Sequence, residues 1–270
     1  MSKILIIGDI MGRPGRHALA QVLPLWKKEL GWDEKTDVLI GNVENLAHGK
    51  GITLPTIEEL EALGFDAYTS GNHIFDTGPN AQACLDKYDK IIRPANYIGD
   101  YPGVGYYRFA KNGQQYLIIN LSGKVFMDMN GKWNIANPFL ALDELIEQQA
   151  QKDDIIIVDL HAEATSEKVA MGWHVDGRAT LVYSTHTHVP TADERILPKG
   201  TAHISDVGVT GAYNSVLGVE IEAALGMFLE RSKFKTEIPE SGPAIVNAVL
   251  VETSGTKAIK IERLKKIVEV

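Results

Sequence analysis

Short apolar runs that alternate with helical patterns constrain the fold of this chain more than any other feature of its sequence. The runs predict buried strands at residues 3–7, 38–43, 66–70, 155–160 and 179–184. Apolar residues at helical spacing predict helices at residues 18–30, 56–63, 80–88, 137–151, 165–174 and 220–230. Strands and helices that alternate in this way form α/β units with right-handed crossovers, so we expect an α/β fold.

Antiparallel strand pairs are predicted in the middle and at the end of the chain. Residues 105–109 and 115–120 flank Lys111-Asn112-Gly113, and an Asn-Gly pair between two apolar runs is a strong hairpin signal. A second hairpin is predicted over residues 194–204, around Pro198-Lys199-Gly200. The last predicted strand pair covers residues 246–252 and 258–264.

The organisation of the chain favours one domain. No repeat or clear boundary interrupts residues 1–270, so we expect them to form a single domain. The polar loop over residues 122–137 is longer than most connections, and we expect it at the edge of a functional site.

Side chains able to bind a metal ion follow five of the predicted strands. In chain order they are Asp9, Glu44 with Asn45, Asn72 with His73, His161, and His186 with His188. Ligands of open α/β sheets bind at the carboxyl ends of the strands. The repeated placement of these residues at that edge therefore predicts one functional site.

The residue types narrow the chemistry of this site. His186 and His188 stand at positions i and i+2, so in an extended segment both imidazoles would point the same way. Imidazole nitrogens with carboxylate and amide oxygens suit manganese, iron or zinc ions. The set is too large for one tetrahedral ion, which favours two metal ions, the usual arrangement for in-line attack on phosphorus.

Composition excludes several other classes of function. The formal net charge is -8 and no lysine or arginine block stands out, which argues against a broad grip on duplex nucleic acid. No apolar run is long enough to cross a membrane, and the first residues lack the layout of a signal peptide. The single cysteine, Cys84, fits a reducing compartment, so we expect a cytoplasmic protein.

The strand-end motifs resemble those of a known enzyme superfamily. Gly8-Asp9, Val43-Glu44-Asn45, Gly71-Asn72-His73, Leu160-His161 and Thr185-His186-Thr187-His188 occur in the order of the calcineurin-like metallophosphoesterases. More specifically, the chain resembles the YmdB-like bacterial phosphodiesterases, whose signatures look like residues 8–16, 44–51, 161–168 and 185–193. The similarity covers the chain essentially from end to end.

Two positions depart from the superfamily pattern. Met11 stands where the first motif usually has histidine, and Glu44-Asn45 replaces the usual Gly-Asp of the second motif. In the YmdB-like branch the second replacement is expected, with Glu44 as the residue that bridges two metals. The resemblance implies one metal held by Asp9, Glu44, Asn45 and His188, and another held by Glu44, Asn72, His161 and His186. It leaves His73 as the proton donor; Asn45 could instead be only a turn former.

The same resemblance implies a fold and a reaction. The fold would be a four-layer sandwich of two stacked mixed β-sheets flanked by helices. The expected reaction is hydrolysis of small cyclic nucleotides by a metal-bridged hydroxide with His73 as general acid. The substrates would be notably 2′,3′-cyclic monophosphates, with 3′,5′-cyclic ones as further candidates. Two divalent or mixed-valence ions are implied, with iron or manganese favoured and zinc as an alternative. The sequence leaves open whether the chain forms a homo-oligomer.

Other functions remain as alternatives. The same two-metal centre serves phosphomonoesterases and nucleases, and a regulator that binds RNA or a nucleotide without turnover is a further candidate. An amidohydrolase is disfavoured, because its His-x-His motif usually lies on the first strand.

Glycine, histidine and arginine residues near the strand-end motifs and elsewhere in the chain allow further interpretations. A nucleotide loop at Gly8, Gly12 and Gly15 is disfavoured by its spacing and by Pro14. Substrate contact and a bland surface role are both open for His48, and phosphate contact or ordinary salt bridges for Arg13 and Arg178. No role is assigned to His17 or His174, and packing or structural roles are expected for Cys84, His203 and Asp206.

Overall fold

The computed structural model describes residues 2–127, 133–230 and 237–270, and arranges them in two six-stranded sheets flanked by helices. The strands are β1 (Ser2–Ile10), β2 (Val38–Asn42), β3 (Ala67–Thr69), β4 (Tyr106–Lys111), β5 (Gln114–Ser122), β6 (Ile155–His161), β7 (Leu181–Thr185), β8 (Arg195–Ile196), β9 (Ala202–Ile204), β10 (Val209–Ala212), β11 (Pro243–Ser254) and β12 (Lys257–Glu269). The helices are α1 (Gly12–Glu29), α2 (Leu54–Glu61), α3 (Pro79–Lys87), α4 (Pro138–Gln149), α5 (Thr165–Val175) and α6 (Ile221–Phe228). The α/β prediction is confirmed.

Both sheets have a parallel centre, with antiparallel strands at one edge of the first sheet and at both edges of the second. The first sheet has the order β12-β11-β10-β1-β2-β3, in which β10, β1, β2 and β3 are parallel and β11 also pairs with β1. The second sheet has the order β4-β5-β6-β7-β9-β8, in which β5, β6, β7 and β9 are parallel. The carboxyl ends of the parallel strands within each sheet therefore lie at one edge.

Residue alternation along β1 explains the layers. Ile4 and Ile6 pack in the apolar layer between the two sheets, with Ile118 and Ile157 of the second sheet. Their neighbours along the strand point to the opposite face, because successive side chains of a strand alternate. There Leu5 packs against helices on the outside of the first sheet. A third apolar cluster covers the outer face of the second sheet beneath α4 and α5, which gives the predicted four-layer sandwich.

The predicted elements are confirmed with shifted ends, and one strand was missed. The structure has both predicted hairpins and the final strand pair. Helix α1 begins at Gly12, six residues before the predicted start at Ala18. Its first turn contains Pro14 and Gly15, which read locally as a loop, yet proline is tolerated where its missing N–H has no partner in the helix.

Strand β10 was not predicted, since a four-residue segment carries little periodicity. It is defined by its pairing with β1, where Asp9 stands opposite Val209. Of the predicted loop 122–137, residues 128–132 lie outside the described ranges. Within those ranges, no helix is long and apolar enough to cross a membrane.

Replacing Ile6 with alanine should lower the free energy of unfolding by about 2–5 kcal/mol, because a fully buried side chain between the sheets would leave a cavity. Unfolding in urea measures the change. Ile259 on β12 is 48% exposed and serves as a matched control, whose replacement should cost less than about 0.5 kcal/mol. An equal loss in the two variants would contradict the assignment of Ile6 to the central layer.

Candidate metal centre

The two sheets bring all of the predicted site residues to one edge of the molecule. Asp9 lies near the end of β1, Glu44 and Asn45 follow β2, and Asn72 and His73 follow β3; His161 ends β6, and His186 and His188 follow β7. The pairing of β1 with β2 shifts register between Ile7 and Asp9, and such a bulge re-aims the side chain that follows it. The first sheet thus supplies the oxygen donors and the second sheet supplies three imidazoles.

One group of donors converges on the Nε2 atom of His161. This atom lies 2.9 Å from Oδ1 of Asn72, 3.2 Å from Oε1 of Glu44 and 3.1 Å from Nδ1 of His186. Ligands that each lie about 2.1 Å from one ion are roughly 3.0–3.5 Å apart. The four residues therefore have the spacing of the ligands of one metal ion.

A second group lies beside the first. Nε2 of His188 is 4.0 Å from Oδ1 of Asp9 and 3.1 Å from the Asn45 amide nitrogen. The same amide nitrogen lies 3.3 Å from Oε1 of Glu44, so Glu44 adjoins both groups. For Asn45 to ligate a metal, its side-chain amide would have to be flipped by 180°, so that Oδ1 lies where Nδ2 now lies.

The ring nitrogen of His161 that faces away from the other donors, Nδ1, is hydrogen-bonded to a hydroxyl group. Its Nδ1 atom is 2.9 Å from Oγ1 of Thr185, and this hydroxyl donates its own hydrogen to Asp159, also at 2.9 Å. The Thr185 oxygen must then accept from Nδ1–H of His161. In the neutral ring the lone pair consequently lies on Nε2, which faces the other donors.

The other two imidazoles are oriented in the same sense. Nε2 of His186 lies 3.2 Å from the carboxylate of Glu163, so its N–H points outward and Nδ1 faces His161. Nδ1 of His188 donates to the backbone carbonyl of Leu217 at 2.9 Å, which leaves the lone pair on Nε2. Histidines that bind metals typically donate their second N–H to such partners.

Burial and nearby charge set the ionisation of these groups. Burial lowers the pKa of His186 to about 3, so this ring is neutral at ordinary pH. Burial also acts to lower the pKa of His161, but the carboxylates of Glu44 and Asp9 raise it to about 9. Burial acts to raise the pKa of Glu44, yet the imidazole of His161 holds it below its usual value. The field of the carboxylates favours a cation at this point, whether a proton or a metal ion.

One buried oxygen carries the test of whether a metal fits. Oδ1 of Asp9 is buried and has no hydrogen-bond partner within the described part of the chain, whereas Oδ2 accepts the backbone N–H of His186 at 3.2 Å. Burial raises the pKa of Asp9, since removal from water disfavours its charged form. A buried carboxylate oxygen left without a hydrogen-bond donor, 4.0 Å from Nε2 of His188, is suited to a cation, so the residues present fit a metal.

The segment that carries His186 and His188 departs from its prediction. It is not extended, since His186 has φ 94° and His188 has φ 63°, both in the left-handed region. The two side chains therefore do not point the same way. His186 faces His161, whereas His188 faces Asp9 and Asn45. The expectation of two parallel imidazoles was wrong, because tertiary contacts of Thr187 turn the backbone between them.

Gly71 lets the third strand approach the centre. A Cβ atom at this position would collide with the ring of His161 and with Oε2 of Glu44. Its backbone φ is not in the left-handed region, so the requirement for glycine is one of space. Only glycine therefore fits at position 71 without displacing His161 or Glu44.

A buried polar network joins the two sheets directly beneath the donors. Asp159 accepts hydrogen bonds from Thr69 of β3, from the amide of Asn42 of β2 and from Thr185 of β7. The backbone N–H of Glu44 donates to Oδ1 of Asn42 at 3.1 Å. Burial raises the pKa of Asp159 to about 7. Sequence reasoning missed this network, because its members lie on four strands that are distant along the chain.

His73 is held at both its backbone and its ring. Its N–H donates to Oε2 of Glu44 at 3.0 Å, and its Nδ1 lies 2.7 Å from the carboxylate of Asp76. The ring is partly exposed, and His73 lines the cleft with His48 and Lys50. The role of Asp76 was also missed, although its i, i+3 spacing from His73 is visible in the sequence.

The donors open into a cleft of about 620 Å³. One part of its lining is polar and includes Glu44, Asn45, His73, His186 and His188. Another part is apolar and includes Met11, Leu217, Val219 and Ile238. The cleft therefore offers both charged and apolar contacts to a ligand.

Other candidates lie elsewhere in the fold. Arg178 pairs with Asp143 at 2.7 Å and His174 bonds the same carboxylate, at the amino end of β7 and away from the donors. His203 donates to a backbone carbonyl at 3.2 Å, and Cys84 is buried in the core. These side chains have structural contacts, whereas His48 lines the cleft.

Comparison with known proteins assigns the family. A family model described as YmdB-like protein matches residues 5–264. The chain belongs to the YmdB-like family. A 2′,3′-cyclic-nucleotide 2′-phosphodiesterase of Bacillus subtilis (strain 168) is 41% identical over 263 residues, which are 97% of this chain and 96% of that protein. The structure of a novel phosphatase from Mycoplasma pneumoniae is 34% identical, covers 99% of this chain and 93% of that chain, and has a TM-score of 0.89.

A more distant structure supports the fold. The calcineurin-like phosphoesterase YfkN of Bacillus subtilis is 15% identical, covers 99% of this chain and 90% of that chain, and has a TM-score of 0.55. This likeness concerns the architecture of the two sheets. The resemblance inferred from the strand-end motifs is confirmed.

Replacing Glu44 with glutamine should weaken two metal-binding events together, because one buried carboxylate adjoins both groups of donors. We expect the affinity for Mn²⁺ to fall by more than about 100-fold. Replacing a residue that only hydrogen-bonds to a metal ligand has a smaller effect. Calorimetric titration with Mn²⁺ measures it. Glu58, which pairs with Lys87 at the surface, provides a control whose glutamine variant should bind as the wild type does. Two tightly bound ions in Glu44→Gln would rule out a bridging role.

Replacing Gly71 with alanine should weaken metal binding by about 10–100-fold, since the new methyl group displaces His161 or Glu44. Mn²⁺ titration and thermal unfolding measure the effect. Gly113, in the hairpin turn, has φ 79° and open space around it. Its alanine variant should lose stability of the order of 1 kcal/mol through backbone strain but keep its metal affinity. Unchanged affinity in Gly71→Ala would contradict the close approach.

Proposed function

We propose that this chain is a binuclear-metal phosphodiesterase that hydrolyses small cyclic nucleotides, with 2′,3′-cyclic monophosphates as the main substrates and 3′,5′-cyclic ones as further candidates. The observation that carries the proposal is the orientation of three imidazoles. Each donates one N–H to a fixed partner on the side away from the centre and directs its other nitrogen toward the carboxylate and amide oxygens. Such preorientation suits metal ligation and serves no evident packing purpose.

The proposed ligand sets follow the two groups of donors. One ion would be held by Asp9, Glu44, Asn45 and His188, and the other by Glu44, Asn72, His161 and His186. Two divalent ions would act as Lewis acids toward the phosphate and lower the pKa of a coordinated water. The nitrogen and oxygen donors suit iron or manganese, with zinc as an alternative.

The charge of the site supports binding of a phosphate ester. Asp9 and Glu44 contribute two negative charges, fewer than the positive charges of two divalent ions. A loaded centre would thus attract a phosphodiester anion even though the chain has a formal charge of -8. That negative overall charge also disfavours stable binding of duplex nucleic acid.

His73 has the geometry of a general acid. Asp76 accepts from its Nδ1, which fixes the orientation of the ring, as a carboxylate partner does for a catalytic histidine. The Nε2 atom remains to hold a proton and pass it to the departing ester oxygen. Glu44 fixes the backbone of the same residue, so the donor is placed relative to the metal ligands.

The cleft supports a small nucleotide as substrate. Its volume of about 620 Å³ lies in the range of pockets that hold small ligands. Met11, Leu217, Val219 and Ile238 would contact the base, while His48 and Lys50 lie where polar groups of the substrate would reach. The name of the Bacillus subtilis relative supports 2′,3′-cyclic nucleotides as the substrate class.

A phosphomonoesterase is the second candidate, since the Mycoplasma pneumoniae structure is described as a phosphatase. A panel of substrates separates the candidates. Protein loaded with Mn²⁺ should open the ring of 2′,3′-cyclic AMP by breaking one P–O ester bond, and chelation should abolish this turnover. Turnover of monoesters alone would overturn the phosphodiesterase proposal. Nucleotide binding without metal-dependent turnover would favour a regulator instead.

Replacing His73 with alanine should lower kcat for a cyclic nucleotide by about 10²–10⁴, the usual contribution of general acid catalysis to a poor leaving group. Bis(p-nitrophenyl) phosphate should lose far less, because nitrophenolate departs with little protonation. Steady-state kinetics with the two substrates measure the difference.

His174 offers the matched control, because it also bonds a carboxylate but lies at the opposite edge of the sheet. His174→Ala should leave kcat unchanged for both substrates. Equal losses on the two substrates in His73→Ala, or loss of a bound metal, would mean that His73 has a different role.

A further inference from the structure

A buried ion pair lies directly behind the segment that carries His186 and His188. Lys168 of α5 places Nζ 2.7 Å from Oδ2 of Asp206, and their side chains are 2% and 0% exposed. Lysine and aspartate are rarely buried to this extent, because removing two charges from water is costly. A buried pair therefore adds little net stability, and its position calls for another explanation.

The carboxylate of Asp206 holds the residue between the two histidines. Its Oδ2 accepts the hydroxyl of Thr187 at 2.6 Å and the backbone N–H of Thr187 at 3.2 Å. Nζ of Lys168 donates to the same hydroxyl oxygen at 3.3 Å. Thr187 is thus fixed through both its backbone and its side chain by the two charged residues.

Thr187 lies between two unfavourable backbone conformations. His186 and His188 both have positive φ, which non-glycine residues rarely adopt because Cβ approaches the backbone. Such conformations persist only where the surroundings hold them, and they cluster at functional sites. The hydrogen bonds to Asp206 supply that restraint at the centre of the segment.

The other oxygen of Asp206 reaches toward β1. Its Oδ1 accepts the backbone N–H of Gly208 at 2.8 Å. The carbonyl of Gly208 occupies the space that a Cβ atom of Gly8 would need, so this loop packs against β1 one residue before Asp9. The carboxylate of Asp206 consequently connects the segment of His186 and His188 with β1, which carries Asp9.

We propose that the Lys168–Asp206 ion pair is a positioning device for metal binding. It holds Thr187 so that His186 and His188 turn their inward nitrogens to two different metal positions, at a fixed spacing from Asp9. The inference rests on the proposed function in that it presupposes the metal centre, but it does not depend on which phosphate ester is hydrolysed.

The chemistry of the pair explains why charged residues stand here. An ionised carboxylate only accepts hydrogen bonds, and Asp206 accepts from four donors: Lys168 Nζ, the Thr187 hydroxyl, the Thr187 N–H and the Gly208 N–H. Asparagine has a single acceptor oxygen and cannot satisfy this set. Lys168 places an ammonium group 2.7 Å from this buried carboxylate and is the one side chain of opposite charge among the four donors.

The variant Asp206→Asn tests the proposal. Its affinity for Mn²⁺, measured by calorimetric titration, should fall by about 10–100-fold, the range found when a partner that orients metal ligands is removed. The rise in Tm that Mn²⁺ produces in the wild type should shrink accordingly. Both readouts are independent of catalysis.

The chain offers a control in a second ion pair whose carboxylate is buried. Arg108 bonds Asp154 at 2.7 Å, and the Asp154 side chain is 1% exposed at the amino end of β6, opposite the metal edge. Asp154→Asn should lower Tm without metal but keep the wild-type affinity for Mn²⁺. The comparison separates a general loss of stability from a specific loss of ligand positioning.

Two substitutions at Thr187 provide a milder test that leaves the ion pair in place. Thr187→Val keeps the shape but removes the hydroxyl bonded to Asp206, so it should weaken Mn²⁺ binding. Thr187→Ser keeps the hydroxyl and should bind as the wild type does. If Asp206→Asn does not fold, this pair decides the question.

The outcomes distinguish the two proposals. A wild-type protein that binds no Mn²⁺ would overturn the proposed function. Wild-type binding together with unchanged affinity in Asp206→Asn, or in Thr187→Val, would overturn the positioning role while leaving the metal centre intact.

Discussion

The packing of the two sheets against each other is the interaction on which the rest of the structure depends. The first sheet carries the carboxylates and amides of the centre and the second carries its three imidazoles, so neither sheet holds a complete donor set. Apolar side chains such as Ile6 and Ile118 drive the sheets together. At the functional edge this layer gives way to Asn42, Thr69 and Asp159, whose directional hydrogen bonds fix how the strand ends meet.

Rigid support is the second constraint, because metal ligands must be held before the metal arrives. Glu44 is held through its backbone by Asn42, while the imidazoles are held through their outward nitrogens. The support extends inward to a buried ion pair behind the strained histidine segment. The residues behind the site thus fix the side chains that face it. This support keeps the carboxylates and the imidazole lone pairs close together despite their mutual repulsion.

The departures from the superfamily pattern also have a place in this arrangement. Met11 stands where the calcineurin-like motif usually has a histidine, and here it belongs to the apolar lining of the cleft with Leu217 and Ile238. A position that elsewhere offers a polar group thus offers contact area for the apolar part of a ligand. Glu44 and Asn45, the other departure from the superfamily pattern, line the same cleft.

The sequence alone determined most strands and the main helices, because local periodicity follows from short-range rules. It also placed all eight candidate residues at strand ends. The motifs also identified the family correctly. The sequence did not reveal the early start of α1, strand β10, or the left-handed backbone at His186 and His188. Only the tertiary structure decided these features and the partners Glu163, Lys168 and Asp206. Most of these contacts join residues far apart along the chain, and they form only once the two sheets have packed together.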